Sequence, residues 1–442
     1  MNLTLTVPEG SSNHGNPNLL CTPPNWYDYI LFYFTNYFAH AATVITNPGQ
    51  GTSETIFVVL AALLLPGSGV TRAINAIRQH SVLEPDPLKR AVRAGALCMV
   101  VKAKPSKEIN PRSLESGQVR VLCTKEDQDD PKDNTEPEGA SLPIKGDSAV
   151  DTSTTGRGAR QQKEEHWWNP HHFREVPYDA VIHGQYRLPD GYCLAFVPFD
   201  AAVQLRSPDK AIHKALSSSY NVPKILISFV QTIWAIITLY RARGNQIQHY
   251  GYAAFGLTVT PYGFMSILNI IGTLLNQDYP AIFLVRTPVM SEAERDLEEG
   301  FFAAEVLFEA AEDQSRKARF PRLSDENVVP NRPINSLCIL IGSIPLAITG
   351  FLSGFQTQSS TSLQRGFTTS WLVLGIVIGT GLPIIYDDLS YMIMRAGSFG
   401  FGPHLGIDMR FFACLIYGIA AIGGMIVVGQ MIRDYGVCTL LT

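Results

Sequence analysis

Apolar and polar positions separate along this chain into long blocks. The longest uncharged block, residues 250–275, reads YGYAAFGLTVTPYGFMSILNIIGTLL and contains no Lys, Arg, Asp or Glu. At ~1.5 Å per residue, a helix over it crosses the ~30 Å hydrocarbon core of a bilayer with a little tilt. Pro261 falls inside it and predicts a kink, because proline removes a backbone donor. Similar blocks recur at 55–70, 225–240, 334–355, 367–386 and 411–432. The first is short unless it borrows residues up to Ile77, and Pro66-Gly67 bends its far end. Another uncharged stretch, 29–46, carries Asn36 and His40 and either spans or lies in the membrane interface. Gly350/Gly354 and Gly375/Gly379 make small-xxx-small pairs that let helices approach closely. Pro345 and Pro383 repeat the mid-block proline. The pattern predicts an α-helical polytopic membrane protein with six or seven transmembrane helices.

The polar blocks predict the rest of the organisation. Residues 1–28, rich in Asn, Pro and Ser, form a disordered lead, and 29–78 hold the N-terminal membrane helices. Residues 79–220 form a cytosolic loop containing a small β-rich module. Its strand-like stretches are AGALCMVVKA, GQVRVLC, YDAVIHGQYRL and YCLAFVPF, with Pro189-Asp190-Gly191 as a turn between the last two. A disordered acidic segment, 125–165, interrupts the module. A transmembrane hairpin follows at 221–275, then a polar loop at 276–333. In that loop Ser291 and Glu294 match a capping box and predict an acidic helix running to about Lys317. Residues 334–442 hold three transmembrane helices and a short tail.

Charge orients this plan. Arg72, Arg78, Lys89, Arg90 and Arg93 next to a membrane exit place the long loops in the cytosol and the C-terminal tail on the far side. Arg241 and Arg243 run against that bias, since they fall on the far side. The localisation expected is an integral membrane protein of the endoplasmic reticulum or plasma membrane. Residues 1–28 contain no Lys or Arg and no apolar core, which argues against a cleaved signal peptide. The net charge of −4 implies no nucleic-acid partner. The seven cysteines form no CxxC pair and no Cys/His zinc spacing, so neither a disulfide framework nor a metal is expected, and no cofactor is implied.

Candidate chemistry is sparse. Asp387 and Asp388 follow the 367–386 block, where paired carboxylates can protonate an alkene or epoxide. The commoner meaning of such a pair is a solvated helix end, and DDLSY lacks the third acid of a DDxxD motif. His166, His171, His172 and His183 cluster with Trp167 and Trp168 but keep no regular metal-ligand spacing, which favours an interfacial aromatic strap. Arg241 and Arg243, with His249, line a tight turn and can clamp an anionic group or simply meet lipid headgroups. Tyr262 and its aromatic neighbours can face a substrate, or else pack. There is no Walker A loop, HExxH or GxSxG. That disfavours ATP-driven transport, zinc proteolysis and serine hydrolysis.

The stretch YGYAAFGLTVTPYGFMSILNIIGTLLNQDYPAIFLVR resembles poorly characterised fungal multi-pass integral membrane proteins. The resemblance covers 220–286 best and implies an endomembrane or plasma-membrane protein. Some proteins of that kind serve specialised-metabolite pathways, among them small membrane cyclases. The leading expectation is therefore a protein that binds or processes a lipophilic small molecule within the bilayer, with Asp387 and Asp388 as acids in its enzymatic version. The alternatives are a transporter or channel not driven by ATP, which needs polar residues converging inside the bundle, and a membrane scaffold or sensor.

Overall fold

The computed structural model describes residues 7–102, 174–176, 180–183, 188–189, 191–199, 201–205, 216, 218–296, 308–310, 332–396 and 409–440, with residues 205, 244, 296, 308–310, 332–335, 382–396, 409–410, 412–413 and 440 described by their backbone alone. The described chain comprises a helical bundle and a module centred on a sheet.

The bundle turns its polar groups inward. Along the helix Val222–Arg241, Leu226, Ile227, Phe229, Val230, Ile233, Ile236 and Ile237 are exposed, while Ser228, Gln231 and Ala235 are buried. A helix in water buries the opposite face, so this inversion fits a lipid surround. Among the described residues, three helices are long and apolar enough to cross a membrane: Val222–Arg241, Phe255–Leu275 and Ser336–Ser353. A fourth exists if the bent pair Thr52–Leu64 and Pro66–Leu83 counts as one span.

That pair carries further the bend expected at Pro66-Gly67, dividing the block expected over 55–70 into two helices. Its arms turn through 118° at Leu65. Pro66 opens the second arm, Pro66–Gln79, because a residue without an amide proton suits the first turn of a new helix. The tip packs backbone against backbone on the long helix Ser362–Ala396. A Cβ on Gly67 would lie 2.7 Å from the Ile376 carbonyl oxygen, and one on Gly379 would lie 2.6 Å from the Ser68 amide nitrogen. Arg72 on one arm pairs with Glu54 on the other at 3.3 Å.

Two other prolines act as Pro66 does. Pro261 produces no mid-span kink. It is the second residue of the helix Thr260–Leu275, which two short 3-10 segments, Gly251–Ala253 and Phe255–Val259, precede. Pro345 likewise opens Ile344–Ser353 after a break at Ser343 that separates it from Arg332–Gly342. Only Pro383 sits within a continuous helix, Ser362–Ala396. The stretch from Trp26 to Ala42 is helical throughout, with a π-helical turn at Phe34–Phe38.

The strands, in chain order, are β1 (Leu19–Thr22), β2 (Leu97–Lys102), β3 (Tyr192–Phe196), β4 (Val203–Leu205), β5 (Phe283–Arg286), β6 (Phe308–Ala310) and β7 (Val437–Leu440). Five form one sheet in the order β3-β2-β5-β6-β4, with β2–β5 and β5–β6 parallel. In β2, Leu97, Met99 and Val101 enter one apolar cluster with Leu88 and Val92 of the helix Pro87–Ala94. Cys98 and Val100 enter another with Val289, Met290 and Ala293 of the helix Pro288–Asp296. The module is therefore a sheet covered by helices on both faces, which is why its central strands are apolar throughout.

The module takes β5 and β6 from the second polar loop, which the strand pattern of 79–220 did not foretell. Of the expected strands, 117–123 lies outside the described residues, and the described residues of 178–188 contribute an isolated bridge, Ile182 to Ile282. The segment 125–165 also lies outside them. Of the expected acidic helix, Pro288–Asp296 is described, capped by Thr287 rather than Ser291; 297–307 lie outside the described residues, and Phe308 belongs to β6, so the helix does not continue to Lys317.

The flanks of the chain meet in a two-stranded ribbon. β1 pairs antiparallel with β7, and Cys21 is disulfide-bonded to Cys438 directly opposite it. Cysteine spacing along the sequence gives no sign of this bond, because its partners lie 417 residues apart.

Candidate functional site

Three apolar helical stretches each bring a polar side chain to the same buried place. From the Trp26–Ala42 stretch comes His40, fully buried, whose Nδ1 lies 2.6 Å from Ser266 Oγ of the helix Thr260–Leu275. From Val222–Arg241 comes Gln231, midway along its 20 residues. Its Oε1 lies 3.0 Å from Thr43 Oγ1 and 3.4 Å from Ser266 Oγ. Asn269, one turn beyond Ser266, is buried beside them.

Across the π-helical turn Asn36, Tyr37, His40 and Ala41, at i, i+1, i+4 and i+5, face inward while Phe34 and Phe38 stay exposed. Toward the Arg241 end, Thr238 donates to Asn36 Oδ1 at 3.0 Å, and Tyr37 Oη lies 2.6 Å from Thr258 Oγ1. Toward the other end, Ser228 and Lys224 continue the inner face at helical spacing. A file of polar groups therefore runs along the inside of the bundle, from Lys224 through Gln231 to Thr238.

The file is not saturated. His40 Nε2, Gln231 Nε2 and both amide atoms of Asn269 have no hydrogen-bond partner among the described residues. Each such buried group costs about 1–3 kcal/mol. Turning the Gln231 amide over gives a consistent proton count, in which its NH2 donates to Thr43 and Ser266, Ser266 donates to His40 Nδ1, and Nε2 keeps its proton. In either assignment, donors and acceptors are left available at mid-depth with no carboxylate or permanent cation beside them. The arrangement can bind an uncharged hydrogen-bonding group.

Of the site residues expected from sequence, Tyr262 is in this core. It is fully buried, donates its hydroxyl to the Leu63 carbonyl and stands 5.1 Å from the Tyr37 ring. Arg241 and Arg243 are exposed at the end of the bundle and do not reach it. Asp387 and Asp388 lie in the Ser362–Ala396 helix, and their side chains are outside the described residues. So are His166, His171 and His172. His183 is in the sheet module, where its amide donates to the Ile282 carbonyl and its ring lies 5.1 Å from that of Phe283. Sequence reasoning passed over Gln231, Ser266 and Asn269. The available signal was a polar residue recurring near the middle of separate uncharged blocks.

A second group gathers where the flanks meet. His14 donates its Nε2–H to the Tyr435 carbonyl oxygen at 2.8 Å, and its ring stacks on Tyr435 at 4.4 Å. The His249 ring is 6.0 Å from that of His14, and burial together with the His14 charge holds its pKa below the usual histidine value. His14, Cys21 and Cys438 place ligand atoms within 4.8 Å of one another. With the two sulfurs bonded to each other, the trio offers no thiolate to a metal. Comparison with family models, curated proteins and solved structures gives no match for this chain.

Proposed function

We propose that the bundle passes a small, uncharged, hydrogen-bonding solute across a membrane without ATP. The observation that carries this reading is the inward polar file centred on His40, Ser266 and Gln231. Polar side chains inside a membrane bundle are costly to keep, and they mark solute or ion pathways when they converge. The bent pair Thr52–Leu64 and Pro66–Gln79 adds support, since irregular backbone at membrane depth is tolerated where protein or a water-filled path surrounds it. In this reading the chain crosses the bilayer six times, at Trp26–Ala42, Val222–Arg241, Phe255–Leu275, Arg332–Ser353, Ser362–Ala396 and Met409–Tyr435, and Thr52–Gln79 turns back within it. The membrane is that of the endoplasmic reticulum or the cell surface. The competing reading, a lipophilic ligand processed by Asp387 and Asp388, rests on side chains that lie outside the described residues.

Stopped-flow swelling of proteoliposomes tests the proposal with urea, glycerol and erythritol as probes. The wild type is expected to admit at least one of them faster than protein-free liposomes. Gln231→Leu and His40→Leu should each cut that rate about tenfold, the equivalent of ~1.4 kcal/mol or one hydrogen bond. Swelling equal to that of protein-free liposomes for all three solutes, by protein that melts cooperatively, goes against it.

A further inference from the structure

The geometry points to a fixed sidedness. We infer that the Cys21–Cys438 clasp lies on the oxidising face of the membrane, that the five-stranded sheet lies on the cytosolic face, and that Thr52–Gln79 enters from the cytosolic face and returns to it. The crossing count comes from the proposed reading of the bundle; the sidedness rests on the clasp.

Everything near the clasp belongs to one end of the bundle. His14 binds the carbonyl of Tyr435, at the end of the helix Ile419–Tyr435, and His249 follows Val222–Arg241 closely. Tyr252 N–H donates to the Gln356 carbonyl at 2.9 Å, and Ser359 N–H to the His249 carbonyl at 3.0 Å. The approach at Gly251 is so close that a Cβ there would meet the Gln356 carbonyl oxygen, and its φ of +60° suits glycine.

The sheet belongs to the opposite end. Gly49, between Ala42 and Thr52, donates to the Tyr279 carbonyl at 3.1 Å and accepts from Val181 at 2.7 Å, both next to the sheet. At the other foot of the bent pair, Ser81 N–H donates to Asn276 Oδ1 at 3.2 Å. Both feet of Thr52–Gln79 therefore stand on the sheet side. Its tip lies among the glycines of Ser362–Ala396.

Parity closes the argument. A disulfide needs both cysteines on one face of the membrane, so the chain between them crosses an even number of times. Seven crossings, with Thr52–Gln79 as a span, would put Cys21 and Cys438 on opposite faces. Disulfides persist in oxidising compartments, while the cytosol keeps thiols reduced. The same assignment puts Lys89, Arg90 and Arg93 in the cytosol and Arg72 and Arg78 on the arm that returns to it, in keeping with the positive-inside bias.

The test uses full-length protein in sealed microsomes, whose cytosolic face is outward. Single cysteines are placed by Lys89→Cys, Ser53→Cys and Ser359→Cys, all at exposed positions, in a Cys123→Ser background that keeps the clasp and the four buried free cysteines. Membrane-impermeant maleimide should label Lys89→Cys and Ser53→Cys in sealed vesicles, and Ser359→Cys only after detergent. Thiol trapping in denaturant should show two extra reactive sulfurs after reduction, and none extra in Cys21→Ser/Cys438→Ser. Labelling of Ser53→Cys only after detergent makes Thr52–Gln79 a span and overturns the inference. Labelling of Ser359→Cys in sealed vesicles, or Cys21 and Cys438 trapped as free thiols, overturns it as well.

Discussion

In β2 the side chains on both faces are apolar and buried, and the one charged residue, Lys102, reaches out to Glu292 at 2.8 Å in the open. In Val222–Arg241 the buried face carries Ser228 and Gln231, and the open face carries Leu226, Phe229, Val230 and Trp234. Both elements are apolar in sequence, and their burial runs in opposite senses. For the strand, water outside supplies the drive to bury apolar surface. For the helix, lipid outside is as apolar as leucine, so association rests on close backbone approach and on hydrogen bonds between helices. The cores reflect this. The sheet is sealed by Met99, Val100 and Val285, whereas the bundle is joined by Gly67 against Gly379 and by His40 against Ser266.

The largest effect comes from placing a carboxylate in each region. Val100→Asp buries an unpaired charge in the sheet, and a loss above ~4 kcal/mol is expected, enough to unfold the module. Limited proteolysis around β2 reads it. Val230 is 64 % exposed, so in water Val230→Asp would be nearly neutral. Against lipid it should cost ~2.5–3.5 kcal/mol at mid-helix. The melting temperature in lipid nanodiscs reads this loss, with Val230→Leu as the neutral partner. An unchanged melting temperature for Val230→Asp would mean that the open face meets water, and the contrast between the two regions would collapse.

A gentler substitution sharpens the same contrast within one kind of element. Gly67→Ala and Gly366→Ala make the same chemical change in helices. At Gly366 nothing lies within 4 Å of the added methyl, so helix propensity should gain up to ~1 kcal/mol. At Gly67 the methyl meets the Ile376 backbone, which cannot step aside as a side chain can, and about 1–3 kcal/mol should be lost. Melting temperatures in detergent should shift in opposite directions. A gain at both sites would rule out close packing of the bent pair on Ser362–Ala396.

The residues explain how far the sequence could be read. Block hydropathy identifies Val222–Arg241 and Phe255–Leu275 because membrane length and lack of charge are local properties. It places the bend at Pro66 but misjudges Pro261 and Pro345, since a proline inside an apolar block looks the same whether it kinks one helix or opens another. The fate of Thr52–Gln79 depends on Gly375 and Gly379, some 300 residues away, which no local pattern connects to it. β2 and β3 announce themselves by composition, whereas β5 falls within what reads as a polar loop until its pairing with β2 is known. The site shows the same divide. Tyr262 stands out as an aromatic residue, but Gln231 and Asn269 acquire meaning only when three helices place them beside His40.

The smallest expected effect concerns protons, and it sets the clasp end of the bundle apart from the sheet. His249 faces His14, Tyr250 and Tyr435, with Asp434 the nearest acid in sequence to that group. Burial first, and the His14 charge second, lower its pKa from 6.5. Between that lowered value and 6.5, the unfolded chain binds more protons here than the folded one does. Stability therefore rises with pH across the window and is lost as pH falls below about 6.5. In the sheet, Cys98 is shifted the other way, its thiol pushed up by burial, so it stays neutral throughout this range. Hydrogen exchange from pH 8 to pH 5, corrected for the intrinsic rate, should show peptides over 245–255 and 436–440 losing protection in the acid half while β2 peptides hold theirs. His249→Gln should remove part of that loss. Equal behaviour of both regions would show that the ring carries no such linkage, and that the clasp end is as indifferent to acid as the apolar core of the sheet.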